Sequence, residues 1–287
     1  MSLPARWVKE NHLKKGDEIE VEIKGKSIII NGQGKPASRE ITVKYDSNEA
    51  FVRRLFLIPY IRGYNKIKIY FREPEIFDKI QENLHILFGF EIVEQKQDYC
   101  ILQHIARESE GEFNKIFSRL FNVVGDMLME ILVAIESDNF DELKRISRME
   151  SLANRLSFLC RRMIHQDVQD PDYIKHSAYS IILFLEDITD HLKIICDMSS
   201  ANKKPFPKKT HNIFRNLVSL FTLIRQIYYK EDFITYLNEF KSLRKTAIRQ
   251  VSEISLEKDK TARLALLYVM CVLADLHNLS EEVIYGR

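Results

Sequence analysis

At 287 residues the chain is long enough for two or three small domains with proper cores, and 45% apolar with 29% charged residues is the balance of a soluble globular protein. A net charge of +2 does not by itself argue for nucleic acid. No apolar run approaches the roughly 18 residues of a spanning helix, and the start is not a signal peptide. Cys100, Cys160, Cys196 and Cys271 are scattered with no C-x-x-C pair, so they read as buried thiols in a reducing compartment, not as disulfides or a zinc site. The expectation is a cytoplasmic protein without membrane insertion.

The chain opens with Ser2-Leu-Pro-Ala-Arg-Trp-Val-Lys-Glu-Asn-His-Leu13, a cap, an early proline and a short helix. Lys14-Lys-Gly-Asp17 is a turn. Glu18-Ile-Glu-Val-Glu-Ile23 alternates as a half-buried strand does, Lys24-Gly-Lys26 turns the chain, and Ser27-Ile-Ile-Ile30 returns it. This stretch resembles the AbrB/SpoVT swapped-hairpin DNA-binding family, whose core reads S-L-P-x-x-W-V-x-x-x-x-L-x-x-G-D-x-V. Members of that family carry a strand before Ser-Leu-Pro, whereas this sequence begins at Met1-Ser2, so the expectation is a truncated module. The resemblance implies a homodimer through residues 1–30, covering an apolar face of Ile19, Val21, Ile23, Ile28 and Ile30. It also implies DNA as a partner, with Arg6, Lys9, Lys14 and Lys15 as phosphate contacts. The alternative for those four is solvated charges on a small domain.

Asn31 to Pro36 is a linker, and residues 39–105 then alternate by type. Arg39–Tyr45 is a strand. Glu49–Ile61 is a helix with Phe51, Leu55 and Ile58 on one side, its last turn disturbed by Pro59. Lys66–Tyr70 is a strand, Glu75–Phe88 an amphipathic helix ended by Gly89, and Phe90–Glu94 and Asp98–His104 are two more strands. A βαβαββ run predicts a small open sheet with both helices on one face. It holds no Gly-rich phosphate-cradling loop.

From Gly111 onward every signal is helical. Phe113, Ile116, Phe117, Leu120, Val124, Leu128, Ile131 and Ile135 mark a first long helix, broken at Asp138-Asn-Phe140. A second helix runs to about His165 with a seam of Ile146, Met149, Ala153, Leu156, Cys160 and Met163. The third follows Gln169-Asp-Pro-Asp172, with a seam of Ile174, Ala178, Ile181, Leu185, Ile188, Leu192 and Ile195. Met198–His211 reads as a linker, and three more helices are predicted over 212–229, 232–251 and 259–285. The chain thus divides into residues 1–35, 36–106 and 107–287, the last as two triplets over 107–200 and 201–287. The fold class is α+β, mostly α: a partial swapped hairpin, a βαβαββ domain and two three-helix bundles.

Within the third helix Glu186 and Asp190 stand one turn apart, off the seam, where a cation between them would relieve their repulsion. Glu150 and Asn154 are offset from the second helix's seam in the same sense. The alternative is a solvated acidic face. Phe184-Leu-Glu-Asp-Ile-Thr-Asp-His-Leu-Lys-Ile-Ile-Cys196 and Glu150-Ser-Leu-Ala-Asn-Arg-Leu-Ser-Phe-Leu-Cys-Arg-Arg162 resemble the paired metal-motif helices of the PhoU phosphate-uptake regulator family, with Asn154 where that family has Asp. Tyr60–Tyr64 and Leu87–Gln95 resemble the joining segment of its archaeal members.

That resemblance implies two three-helix bundles and a metal held by Glu150, Asn154, Glu186 and Asp190, with His191 behind Asp190. The cation would be iron, magnesium, calcium or zinc; oxygen ligands favour the hard ions, and zinc would need His191. In the second triplet Asn238, Glu239 and Ser242 stand on the middle helix. Ala274 occupies the place of the motif Asp, leaving Asp275 and His277 as a shifted remnant or as packing and capping residues.

An enzyme is not expected. A di-iron carboxylate bundle needs two Glu-x-x-His pairs, and the one such pair, Glu82 with His85, lies in the sheet region. The function expected is regulation of phosphate uptake or homeostasis by a metal-binding dimer. It would act on a phosphate transporter, on its regulatory kinase or on transcription. The alternatives are an AbrB-type transcription regulator whose helical part senses a ligand, and a protein-interaction scaffold without metal.

Overall fold

The computed structural model describes residues 2–10, 13–24, 27–31, 39–45, 51–106, 112–166, 173–229, 234–254 and 260–285. In the N-terminal part, α1 (Ala5–Glu10) precedes a hairpin of β1 (Glu20–Lys24) and β2 (Ser27–Asn31). Its antiparallel register sets Val21 opposite Ile30 and Ile23 opposite Ile28. Side chains alternate along a strand, so Val21, Ile28 and Ile30 share one face, and the Ile23 side chain lies outside the described residues. Val21 and Ile28 are 52% and 55% exposed. The turn before β1 is held by Lys14 and Asp17, each backbone N–H reaching the other residue, 2.7 Å to the Asp17 carboxylate and 3.1 Å to the Lys14 carbonyl. Between them Gly16 takes a φ of 102°, a conformation open to glycine and costly for other residues.

A four-stranded sheet follows, of β3 (Glu40–Lys44), β4 (Lys66–Tyr70), β5 (Phe90–Gln95) and β6 (Tyr99–His104) in the order β3-β4-β6-β5. Its β3–β4 pair is parallel and the other two pairs are antiparallel. The helices α2 (Val52–Ile61) and α3 (Pro74–Asn83) complete the βαβαββ order. Phe56, Tyr60, Ile76 and Ile80 from these helices share a core with Ile67, Ile69, Cys100 and Leu102 from the strands. The buried face of α2 differs from the expected one. Val52, Phe56 and Tyr60 point inward, while Phe51 and Ile58 are 54% and 44% exposed. Spacing of four brings two large aromatic rings onto the sheet, which removes more apolar area from water than the stripe through Phe51 and Ile58 would. The helix continues through Pro59, itself buried, to Ile61. It ends where Gly63, at φ 80°, donates to the Tyr60 carbonyl. The second helix is shorter than expected, since Leu84–Ile86 tightens into a 3-10 turn.

The described residues that follow form the helices α4 (Phe113–Glu136), α5 (Phe140–Ile146), α6 (Met149–Gln166), α7 (Tyr173–Asn202), α8 (Lys208–Tyr229), α9 (Ile234–Ile254) and α10 (Lys260–Tyr285). Asp138, at φ 52°, ends α4, and Asn139 caps α5 by accepting from the Glu142 N–H at 3.2 Å. The expected second helix is split at Ser147-Arg148 into α5 and α6. Ser147 is buried and turns its hydroxyl back to the Lys144 carbonyl at 3.0 Å, competing with the continuing helix.

The expected linker of residues 198–211 is also corrected. It shrinks to 203–207, because α7 runs on to Asn202 and α8 starts at Lys208. Buried Ser199 donates to the Ile195 carbonyl at 2.6 Å, inside the helix. Lys203, at φ 50°, donates to the Ser199 carbonyl at 3.0 Å and so closes the helix end.

One continuous apolar core runs from Phe117 on α4 to Val283 on α10. From Ile181 on the α7 seam is as expected, with Ile181, Leu185, Ile188, Leu192 and Ile195 all at most 3% exposed, while Ala178 is half-buried and the Ile174 side chain lies outside the described residues. Arg263–Ile284 within α10 is long and apolar enough to cross a membrane by length and composition, with mean hydropathy 1.3 and 44% of that window buried. This departs from the expectation that no segment comes near that test. The expectation of four buried thiols is corrected as well: Cys100, Cys160 and Cys196 are buried, and Cys271 is exposed on α10.

Candidate functional site

The helices α6 and α7 run antiparallel, so rising numbers on one meet falling numbers on the other. Glu150 and Asn154 lie at the level of Asp190, whereas Ser157 and Arg161 lie at the level of Glu186 and Tyr179. The four carboxylate and amide residues expected to act together therefore occupy two levels of one groove.

At the first level the Asn154 side-chain N–H donates to Oε1 of Glu150 in a short hydrogen bond. Glu150 is half-buried, and burial pushes its carboxyl up. Asp190 beside it pushes further, by repulsion and a hydrogen bond, against the pull of Lys193 and Arg53. Asn154 is 6% exposed, and its side-chain oxygen is buried without a hydrogen-bond partner. An amide oxygen out of water with nothing donating to it costs on the order of 1–3 kcal/mol, so this oxygen is a ready acceptor for a ligand.

At the second level the Ser157 hydroxyl donates to Oε2 of Glu186 at 2.5 Å, and the Arg161 guanidinium reaches the same oxygen at 3.2 Å. Arg161 is fixed in turn by the Tyr179 hydroxyl at 3.2 Å and by that ring, 5.2 Å from its centroid. Glu186 is 18% exposed, so it sits in the groove and not on a solvated face. Burial pushes its carboxyl up, with Ser157 and Arg161 pulling against it. Asp190 is exposed.

His191 lies elsewhere than behind Asp190. Its Nδ1 is 2.8 Å from Oδ2 of Asp275 on α10, and its ring centroid is 5.9 Å from that of Tyr268. The signal for this pairing was the acidic residue next to the vacant motif position at Ala274. In the second triplet Asn238 and Glu239 are exposed on α9, and His277 pairs along its own helix with Glu281 at 3.6 Å.

Tested against a cation, the first level offers the Glu150 and Asp190 carboxylates as hard-oxygen donors, while Asn154 turns its N–H toward Glu150. Glu186 is committed to Ser157 and Arg161. Among the described residues no group of three or more His, Cys, Asp or Glu is arranged to hold a metal ion.

Sequence reasoning missed Arg162 altogether. It is fully buried and leaves α6 toward the sheet domain. There its guanidinium donates to the carbonyls of Tyr60 at 2.9 Å and Tyr64 at 2.8 Å, and to the side-chain oxygen of Asn65 at 2.5 Å. It lies over the rings of Tyr60 and Phe90 at 5.0 and 5.1 Å. No periodicity marks such a residue, since an arginine among apolar neighbours reads as an exposed one.

At the N-terminal end Arg6, Lys9, Lys14 and Lys15 are all exposed, on α1 and the turn before β1. Residues 1–42 match the family model described as antidote-toxin recognition MazE, bacterial antitoxin. No curated protein and no solved structure matches the chain. The AbrB/MazE-like character of the N-terminal segment thus stands on a family match, and the likeness of α6 and α7 to the phosphate-uptake regulators stands on their residues alone.

Proposed function

We propose that this protein is a dimeric, DNA-contacting regulator. Its N-terminal hairpin joins two copies on a DNA site, and its helical part carries the sensing or effector half. The observation that carries the reading is the MazE match over residues 1–42. The apolar hairpin face supports it, because a unit this small cannot bury such a face alone. Two copies facing each other would cover Val21, Ile28 and Ile30. They would also double the array of Arg6, Lys9, Lys14 and Lys15, which favours phosphate contact. The test is a gel-shift with DNA from upstream of the gene across about 50–200 mM salt. Retarded complexes that weaken steeply with salt, and that are lost when the four cations are changed to Gln, are expected. Unretarded DNA at the lowest salt would sink the reading.

A second reading is favoured by the buried unpartnered oxygen of Asn154 beside the Glu150–Asp190 pair. Here the helical half takes up a hard cation such as magnesium, calcium or ferric iron, and regulates phosphate uptake through a transporter or its regulatory kinase. Glu150, Asn154 and Asp190 would hold the ion. Calorimetric titration with each ion separates the readings: uptake by wild type that disappears in Asp190→Asn supports the cation site. Equal heats from the two proteins would reduce these residues to a structural cluster.

A further inference from the structure

The last helix, α10, is apolar on two sides. One side is spent on the core, where Leu266, Val269, Val272, Leu276 and Leu279 are at most 4% exposed. The other carries Leu264, Leu267, Cys271, Ala274 and Asn278, at intervals of three, four, three and four. Leu264 and Leu267 are 37% and 61% exposed, and Cys271, Ala274 and Asn278 are exposed too. This is the a/d spacing of a two-helix seam, two heptads or about 20 Å long. An amphipathic core helix needs one apolar face, so the second is unexplained by the fold. At its N-terminal end the stripe borders an apolar groove of about 560 Å³ between α9 and α10, walled by Ile248 and Val251 with Leu264 and Leu267.

We infer that this face of α10 is a contact surface for α10 of a second copy of the chain, parallel and in register. Three features select that occupant. Like pairs across a twofold axis give Leu264 on Leu264 and Leu267 on Leu267, with the small Cys271 and Ala274 letting the helices approach below them. Asn278 falls at an a position, where a buried Asn pairs with its own copy and fixes a parallel, in-register dimer. At the flanks His277 of one copy faces Glu282 of the other, a pairing of complementary character, and Glu281 takes the next d position, where two carboxylates would meet and end the seam. A seam of two heptads is short for a lone interface. It adds to whatever the hairpin contributes, at the high effective concentration of an already joined pair.

Cys271 makes the register readable. In a parallel dimer equal a positions bring the two Cys271 side chains within reach of a disulfide, and the other three cysteines are buried. Full-length protein at about 50 µM is treated with diamide and run on a non-reducing gel. Most of the wild type should run as a covalent dimer. Cys271→Ser should give none, and Leu267→Glu should lower the yield at least about fivefold while circular dichroism stays unchanged, since that side chain is mostly in water. Wild type that is dimeric by light scattering yet fails to cross-link would overturn the α10 seam and leave the hairpin dimer standing. Cross-linking untouched by Leu267→Glu would overturn it as well. Absence of cross-linking, with sedimentation on phosphatidylcholine vesicles that Leu267→Glu abolishes, would reassign the face to a lipid surface.

Discussion

His191 on α7 and Asp275 on α10 share a hydrogen bond of 2.8 Å, which ties the third helix of the first triplet to the last helix of the second. Burial pushes the Asp275 carboxyl up, and His191 pulls it back down. The pair is partly buried, at 26% and 14% exposure, so it is screened less than a surface pair. A double-mutant cycle of His191→Ala and Asp275→Ala, read by urea unfolding, should return a coupling of about 1 kcal/mol. Strict additivity would show the two groups to be neighbours without energetic coupling.

Arg162→Met should be among the most damaging single changes in the chain. It removes the donors to two backbone carbonyls and to Asn65 in a buried site, at a cost of about 3–5 kcal/mol. Because these bonds hold α6 to the sheet domain, unfolding followed by tryptophan-independent far-ultraviolet dichroism should split into two transitions. A single transition within about 0.5 kcal/mol of wild type would refute the role of Arg162 as the tie.

For Glu150 the sign of the pH effect is set by its raised carboxyl pKa. A group that is harder to ionise when folded penalises the native state above that raised value, and the penalty is absent below the ordinary value of 4.5. Glu150→Gln keeps the acceptor for Asn154 and removes the charge. At pH 7 the variant should therefore melt higher than wild type. The gain should be a few degrees at most, since about 1 kcal/mol corresponds to roughly 2–4 °C in a protein of this size. The difference should fade as pH falls toward 4.5. A variant that melts lower at pH 7 would mean that the attraction of Lys193 and Arg53 outweighs burial.

Gly63→Ala tests the end of α2. At φ 80° an alanine is strained by about 1–2 kcal/mol, and its Cβ would stand 2.9 Å from Cγ of Gln166. The glutamine side chain can give way, so the backbone sets most of the cost. A melting temperature lower by roughly 2–8 °C is expected. Gly16→Ala makes the comparison, since a Cβ there meets nothing and only the backbone strain remains.

Element type was legible wherever one face of an element is buried. The α7 seam from Ile181 to Ile195 and the strands at Lys66 and Phe90 follow directly from periodicity, because burial of one face imposes the period. Where two apolar stripes competed, as on α2, the choice depended on the sheet beneath and could not be read from the helix alone. The break at Ser147 and the continuation of α7 past Ser199 turned on where one hydroxyl found its acceptor, which is settled by packing. At the candidate site the positions were legible but their partition was not. The antiparallel stagger of α6 against α7 sends Glu186 to Ser157 and Arg161, and leaves Glu150 with Asp190.

The placement of Phe158 and Arg162 one turn apart on α6 gives that helix two landlords. Ala153, Leu156 and Cys160 belong to the helical core, whereas Phe158 is part of the sheet core and Arg162 is bonded into it. A rotation of α6 by a single residue's worth, about 100°, would evict side chains from both cores at once. The helix is thus a keyed shaft. It is fixed in rotation by both halves, and Glu150 stands about twelve residues, or about 18 Å, along the same helix from Arg162, whose guanidinium holds the Tyr60 and Tyr64 carbonyls.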